Sequence, residues 1–204
     1  MRNVAVSAGL IQQTINFHGH SCPGLAFGIR ASELAMSYFN RASDEEIVAV
    51  VETDMCAVDA IQFLTGCTFG KGNLIHLDYG KNAFAFYRRH DGKGMRIMTR
   101  PNIFPKDSDE LDAIQKKMAR GGLTPEEQKT YKELMELRTK RIMGAKLEEL
   151  FEVKPANGPV PKKARILESL ICQSCGESVM ESRTRRFLGK TFCIPCFYAL
   201  EKKY

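Results

Sequence analysis

The sequence has no long apolar run and no internal repeat. No stretch approaches the roughly 20 apolar residues that a helix needs to span a bilayer, so we expect no membrane contact. Residues 1–17 hold one arginine and a short apolar stretch, but Gln12, Gln13 and Thr14 interrupt it. A signal peptide needs a longer hydrophobic region. We therefore predict a cytoplasmic protein.

The composition is that of an ordinary globular protein. Hydrophobic residues make up 44% and charged residues 26% of the 204 residues, enough for one domain with a real core and a small appendage. The formal net charge of +6 is unevenly spread, with much of the excess in residues 154–165 and 183–190. Such an imbalance permits contact with nucleic acid or an acidic partner without showing it.

The seven cysteines do not suggest a disulfide scaffold, because their number is odd and no export signal is recognisable. Four form two CxxC pairs near the C-terminus. The others, Cys22, Cys56 and Cys67, lie in the N-terminal half. In a reducing compartment, such thiols bind metals, take part in chemistry or fill core space.

Hydrophobic periodicity predicts an α+β fold, with four or five strands in one mixed sheet and helices packed against it. The cysteine pairs near the C-terminus add a small zinc finger to this fold. The predicted divisions are a core domain over 1–153, a Pro/Gly/Lys-rich linker over 154–164 and the finger over 165–204. Helices are expected over 1–17, 23–39, 54–66, 107–120 and 124–150, and strands over 47–53, 73–79, 83–89 and 94–100. Gly80–Asn82 predicts a hairpin between the second and third strands. The long charged helix over 124–150 could support a homodimer.

The C-terminal cysteines have the spacing of a structural zinc site. Cys172 and Cys175 are separated by 17 residues from Cys193 and Cys196. Four thiolates in two CxxC turns suit tetrahedral zinc, and the order of knuckle, hairpin, knuckle and helix is that of a treble-clef finger. Zinc stabilises such a fold by about 10 kcal/mol or more. Two disulfides, a redox pair or an iron–sulfur cluster are the alternatives.

The finger also carries a basic stretch, formed by Arg183, Arg185, Arg186 and Lys190. These side chains could contact phosphates of a nucleic acid. A solvated hairpin face is the plainer interpretation. The finger could equally dock on the first domain or on a partner protein.

In the N-terminal half, residues 17–24 (FHGHSCPG) bring His18, His20 and Cys22 together just before a predicted helix. As the cap residue of that helix, Cys22 would gain from its dipole and free amides, which lower a thiol pKa. A thiolate at this place suits metal ligation or nucleophilic chemistry. Packing alone explains three potential ligands so close together less well.

A second group follows the predicted strand over 47–53. Cys56 lies at the start of the next helix, and ligands collect at the carboxyl ends of strands. We expect His18, His20, Cys22 and Cys56 to converge on a second metal, most simply zinc, with an open position. Glu52 or Asp59 would act as general base. The glycine-rich stretch around Cys67 is a further candidate, although a lone cysteine is most often a small buried hydrophobe.

These motifs resemble the family of the E subunit of formylmethanofuran dehydrogenase. The matching stretches are residues 17–31, 52–74 and 82–89, and the CQSCGE and CIPC segments are similar to a zinc finger that many members append. The resemblance implies an α+β domain with a mixed sheet, and a metal pocket lined by His18, His20, Cys22, Cys56 and Cys67.

Some members of that family are encoded beside subunits of the molybdenum or tungsten enzyme that reduces carbon dioxide onto methanofuran. The resemblance therefore implies a link to anaerobic one-carbon metabolism. The large catalytic, pterin-binding and iron–sulfur motifs of that enzyme are absent from this sequence. We thus expect a metal-dependent enzyme or redox auxiliary protein, or else a non-catalytic module that docks on subunits of an enzyme complex.

Overall fold

A computed structural model describes residues 5–101, 103 and 108–202. The chain divides into two compact units, Met1–Lys163 and Ala164–Tyr204. Among the described helices, none has both the length and the apolar character needed to cross a membrane.

A five-stranded mixed sheet forms the centre of the first unit. Its strands are β1 (Ile47–Val51), β2 (Leu74–His76), β3 (Ala83–Arg88), β4 (Gly94–Thr99) and β5 (Phe151–Pro155). Their order is β2-β1-β3-β4-β5, with β1 parallel to β2 and all other neighbours antiparallel. The mixed sheet with its helices confirms the predicted α+β class.

Six helices belong to this unit in the described residues. They are α1 (Ala8–His18), α2 (Pro23–Phe39), α3 (Ala57–Thr65), α4 (Ser108–Gly121), α5 (Pro125–Gly144) and α6 (Leu147–Leu150). The first helix starts later than predicted, because the Ser7 side chain accepts a hydrogen bond from the Leu10 amide and caps it. Residues 1–4 and 107 of the predicted helices lie outside the described part.

The two faces of the sheet differ in their cover. Alternate residues of β1, including Ile47 and Val51, join the large core that also contains residues of α2 and α3. Val48 faces the other way and joins a smaller cluster with Ala85 and Tyr87. Of the candidate metal ligands, Cys22 immediately precedes α2 and Cys56 immediately precedes α3, on the first face.

Helices α2 and α3 approach each other at backbone distance. A Cβ atom added to Gly28 would lie 2.3 Å from the carbonyl oxygen of Ala57 and 2.7 Å from its Cα. Only glycine permits this contact, because any side chain at that position would collide with main-chain atoms. The contact lies one residue past Cys56 in the sequence.

The predicted hairpin between residues 73–79 and 83–89 is wrong. Strand β2 pairs with β1 in parallel, and β1 separates it from β3. The fully buried Asn73 explains this placement, because its side-chain amide donates to the carbonyl oxygens of Asp44 and Ile47, each at 3.0 Å. These bonds hold the beginning of β2 beside the beginning of β1.

The predicted helix over 124–150 is also interrupted. Its start is as expected, with Thr124 and Glu127 forming a capping box. However, α5 ends at Gly144 and Ala145 is extended, with Arg30 donating to the Ala145 carbonyl oxygen at 2.8 Å. The interruption lets Leu150, which is fully buried, reach the core.

Part of the predicted linker packs on the second face of the sheet. Strand β5 extends to Pro155, and Ala156 and Val160 then contact the smaller apolar cluster. Arg89 donates to the carbonyl oxygens of Pro161 and Lys162, each at 3.0 Å. Residues 156–162 are called the strap below.

The second unit consists of two short hairpins and a helix. They are β6 (Ser169–Ile171) with β7 (Ser178–Met180), β8 (Thr184–Phe187) with β9 (Lys190–Cys193), and α7 (Ile194–Glu201). A 3₁₀ turn over Glu181–Arg183 joins the hairpins. The treble-clef assignment stays a prediction.

Candidate metal sites

The ends of three helices position the N-terminal ligands. His18 is the last residue of α1, and Gly19 reverses the chain with a left-handed conformation, φ +95°. Cys22 then caps α2, as predicted: its Sγ accepts a hydrogen bond from the Leu25 amide at 3.3 Å. Cys56 stands at the cap position of α3, at the end of the loop that follows β1.

The structure brings His18, His20, Cys22 and Cys56 together. One ligand atom from each of these side chains lies within 4.8 Å of the other three. The two imidazole rings are 4.4 Å apart between centroids. Zinc–ligand bonds of about 2.0–2.3 Å place tetrahedral ligand atoms roughly 3.3–3.8 Å apart, so small side-chain movements suffice to bind an ion.

His18 is oriented for metal binding. Its Nδ1 lies 2.7 Å from the Oδ2 atom of Asp59, while its Nε2 is buried and has no hydrogen-bond partner. With the proton on Nδ1, as the carboxylate favours, Nε2 presents a lone pair. A buried nitrogen without a partner is unfavourable unless something binds it, and a metal ion fits this requirement.

The two thiols share a confined space. Burial and the neighbouring Cys22 thiol raise the pKa of Cys56. A bound cation would reverse this effect, because metal binding deprotonates a thiol. Gly24 leaves the space open: a Cβ there would lie 3.1 Å from the Cys56 Cβ and 3.9 Å from the Cys22 Sγ. The donor set and the space therefore suit an ion.

Two other candidates are not brought to this group. Cys67 is fully buried in the main core, where its Sγ lies 3.6 Å from the Ile47 carbonyl oxygen. Glu52 is paired with Arg96 and lines a different cavity. Glu52 directly follows β1, and Cys67 lies shortly after α3. The Cys67 side chain packs into the core and the Glu52 side chain pairs with Arg96 across the sheet, so neither reaches the ligand group.

The orienting role of Asp59 was missed, since the sequence suggested a general base. Asp59 lies 41 positions after His18, a separation for which no spacing rule could reveal the pair. Only the contact of α1 with α3 brings them together.

Replacing Asp59 by asparagine is expected to weaken metal binding by the first unit about 10- to 100-fold, the usual effect of losing such an orienting carboxylate. Competition with a chelator of known affinity would measure it. Asp112→Asn, at an exposed position of α4, is the matched control. Equal affinities of Asp59→Asn and the unmodified protein would contradict the orienting role.

The second unit contains the other ligand group. The Sγ atoms of Cys172, Cys175, Cys193 and Cys196 lie within 4.8 Å of one another. The Cys172 Sγ accepts a hydrogen bond from the Cys193 amide at 3.3 Å. Hydrogen bonds from the Cys175 and Cys193 amides lower the pKa of Cys172 to about 6, so its thiolate is ready to bind zinc.

Comparisons with known proteins agree with this division. The family model described as "FmdE, Molybdenum formylmethanofuran dehydrogenase operon" matches residues 17–152, and that of the "Prokaryotic dksA/traR C4-type zinc finger" matches residues 165–202. A curated protein of Archaeoglobus fulgidus, named "Probable S-adenosyl-L-methionine-binding protein", is 33% identical over 202 residues. The match covers 94% of this chain but 54% of that protein, so the chain spans about half the length of this relative.

A solved structure has the same fold. It is an FmdE-like protein, named after tungsten formylmethanofuran dehydrogenase, from Syntrophus aciditrophicus, with a TM-score of 0.59, 22% identity and 98% coverage of both chains.

The fold and the two ligand groups together define an α+β domain with a His/Cys ligand group, followed by a four-cysteine zinc finger. Because the first family model spans most of the chain, the protein belongs to the FmdE family.

Proposed function

We propose that the first unit binds zinc through His18, His20, Cys22 and Cys56, and that this site serves as a metal-dependent or redox auxiliary centre in anaerobic one-carbon metabolism. The buried, unpartnered Nε2 of His18 carries the proposal for the metal. Two imidazoles and two thiolates form a donor set that zinc accepts.

The one-carbon assignment rests on the comparisons. The family description names a formylmethanofuran dehydrogenase operon, and the solved relative is named after a component of that enzyme. The proposed role is therefore that of an accessory protein acting with subunits of such an enzyme.

The exposure of the ligands favours a reactive site over a sealed one. His20 is exposed, and the other three residues of the group are half-buried. In the finger, Cys172 and Cys193 are buried, Cys196 is half-buried and Cys175 is exposed, so two of its four ligands are buried, against none in the first group. A zinc ion bound at the first site supplies a Lewis acid. The protein provides an exposed imidazole that can exchange with a small molecule, while Asp59 holds the other imidazole in place.

A chelator tests this difference directly. With 4-(2-pyridylazo)resorcinol in excess, we expect zinc to leave the protein in two phases, the faster from the first unit. His20→Ala should accelerate the fast phase alone, because it removes one of the four ligands. Absorbance of the chelator complex measures both rates.

His90→Ala is the matched control, since that side chain is 70% exposed and belongs to no ligand group of the described residues. Equal release rates for both zinc ions would contradict an open site. They would favour the alternative, in which four protein ligands close the coordination sphere and the domain only docks on an enzyme complex.

Nucleic-acid binding by the finger is a second candidate. Arg183, Arg185 and Arg186 bond only to oxygens of nearby residues, and within the described residues none of them forms an ion pair. Their charges are thus available to phosphates.

A further inference from the structure

The sheet face opposite the helices carries a cavity of about 470 Å³ that the metal proposal does not use. Its lining includes Val50, Glu52, Lys81, Ala85, Tyr87 and Arg96. This volume is within the range of about 300–1,000 Å³ typical of small-molecule sites.

The floor of the cavity follows from the strand register. Val50 pairs with Ala85, Ala85 with Arg96, and Arg96 with Lys154, so these residues form one row across four strands. Paired residues of neighbouring strands share a face. The small Val50 and Ala85 therefore leave an apolar recess directly beside the Arg96 guanidinium.

The charges around the recess are partly neutralised from within the protein. Arg96 forms two bonds with the Glu52 carboxylate, at 2.6 and 2.7 Å, and Glu52 is only 7% exposed. Lys154 pairs with Glu152 at 2.8 Å. The Lys81 amino group has no ion pair among the described residues. One positive charge therefore remains for a ligand.

One aromatic ring lies beside that remaining charge, and a second lines the same cavity. The Lys81 Nζ lies 5.7 Å from the centroid of the Tyr79 ring. Tyr87 is buried, and its hydroxyl donates to the Asn157 carbonyl oxygen of the strap at 3.2 Å. The strap thus fixes one wall of the cavity, and the tyrosines supply flat apolar surface next to a cation.

The geometry points to a binding site for a small organic anion with a flat ring. Its acidic group would meet Lys81 at the rim, and its ring would lie on the apolar recess between the tyrosines. A carboxylate and a phosphate ester both fit this description. The buried Glu52–Arg96 pair would define the polar end of the recess and disfavour purely apolar ligands, because it would be left without solvent.

Amide chemical-shift mapping of the full zinc-loaded chain tests the site with benzoate, phenyl phosphate and benzamide as probes. We expect saturable shifts at the amides of Val50, Ala85 and Arg96 with the two anions. Uncharged benzamide should bind about tenfold more weakly, the equivalent of one charge-assisted hydrogen bond. The stronger of the two anions identifies the acidic group.

Two variants check the assignment. Lys81→Met should weaken benzoate binding about tenfold by removing the charge-assisted contact, whereas Lys129→Met, at an exposed position of α5, should leave it unchanged. Ala85→Leu should abolish binding by filling the recess, with the fold checked by unchanged shifts elsewhere.

Three results would overturn the proposal: shifts confined to other residues, equal binding of benzamide and benzoate, or full benzoate binding by Lys81→Met. We expect the same zinc content in all of these variants, whether or not benzoate binds. A failure of the anion site is therefore distinguishable from a failure of the metal site.

Discussion

Replacement of Cys56 by serine is expected to lower the zinc content from two ions per chain to one. Cys56 supplies one of only two thiols in the first ligand group, and a serine hydroxyl is a far weaker zinc ligand than a thiolate. The finger should keep its ion, because its four cysteines belong to the other unit. Elemental analysis of the purified protein by mass spectrometry gives the stoichiometry.

Cys67→Ser is the matched control for this change. It also removes one thiol from the first unit, but Cys67 lies in the core away from the ligand group. We expect this variant to be less stable and still to bind two zinc ions when folded. A single ion in the unmodified protein, or two in Cys56→Ser, would contradict the first site.

Replacement of Cys172 by serine is expected to unfold the second unit. The buried residues of its small core are Cys172, Phe192 and Cys193. So small a core cannot offset the entropy of ordering the chain, and a structural zinc contributes about 10 kcal/mol or more. Limited proteolysis should then cut within residues 165–202 while the first unit, with its own core, resists.

Ser178→Ala, an exposed change in the same unit, should leave the digestion pattern unaltered. The zinc content of Cys172→Ser should be one ion per chain, now held by the first unit. A protease-resistant finger in this variant would show that metal does not maintain the fold.

Local chemistry made parts of both sites predictable from the sequence. The Pro23 that follows Cys22 marks the start of a helix, and the structure places the thiol at its cap. The spacing of the two CxxC pairs is typical of a structural zinc site and of few other sites, and the four sulfurs do converge. The four-residue group of the first unit was expected because Cys56 lies in the loop after β1, at the carboxyl end of that strand.

What could not be predicted depends on contacts between distant segments. The parallel pairing of β2 depends on the buried Asn73, whose bonds reach back 26 and 29 residues to Ile47 and Asp44. The pairing of Glu52 with Arg96 spans 44 residues and takes a proposed general base away from the metal ligands. The strap had the composition of a linker, and its bonds to Arg89 and Tyr87, together with its apolar contacts, place it on the sheet.

The close approach of Gly28 to Ala57 has a consequence for metal selectivity. Main-chain atoms of α2 and α3 are in contact there, so the helices that carry Cys22 and Cys56 cannot move closer together. The helices therefore cannot close around an ion that is too small for this span, and such an ion must be accommodated by rotamer changes of the two cysteines. Discrimination among metals would then reside in the rigidity of a helix crossing, in addition to the identity of the donors.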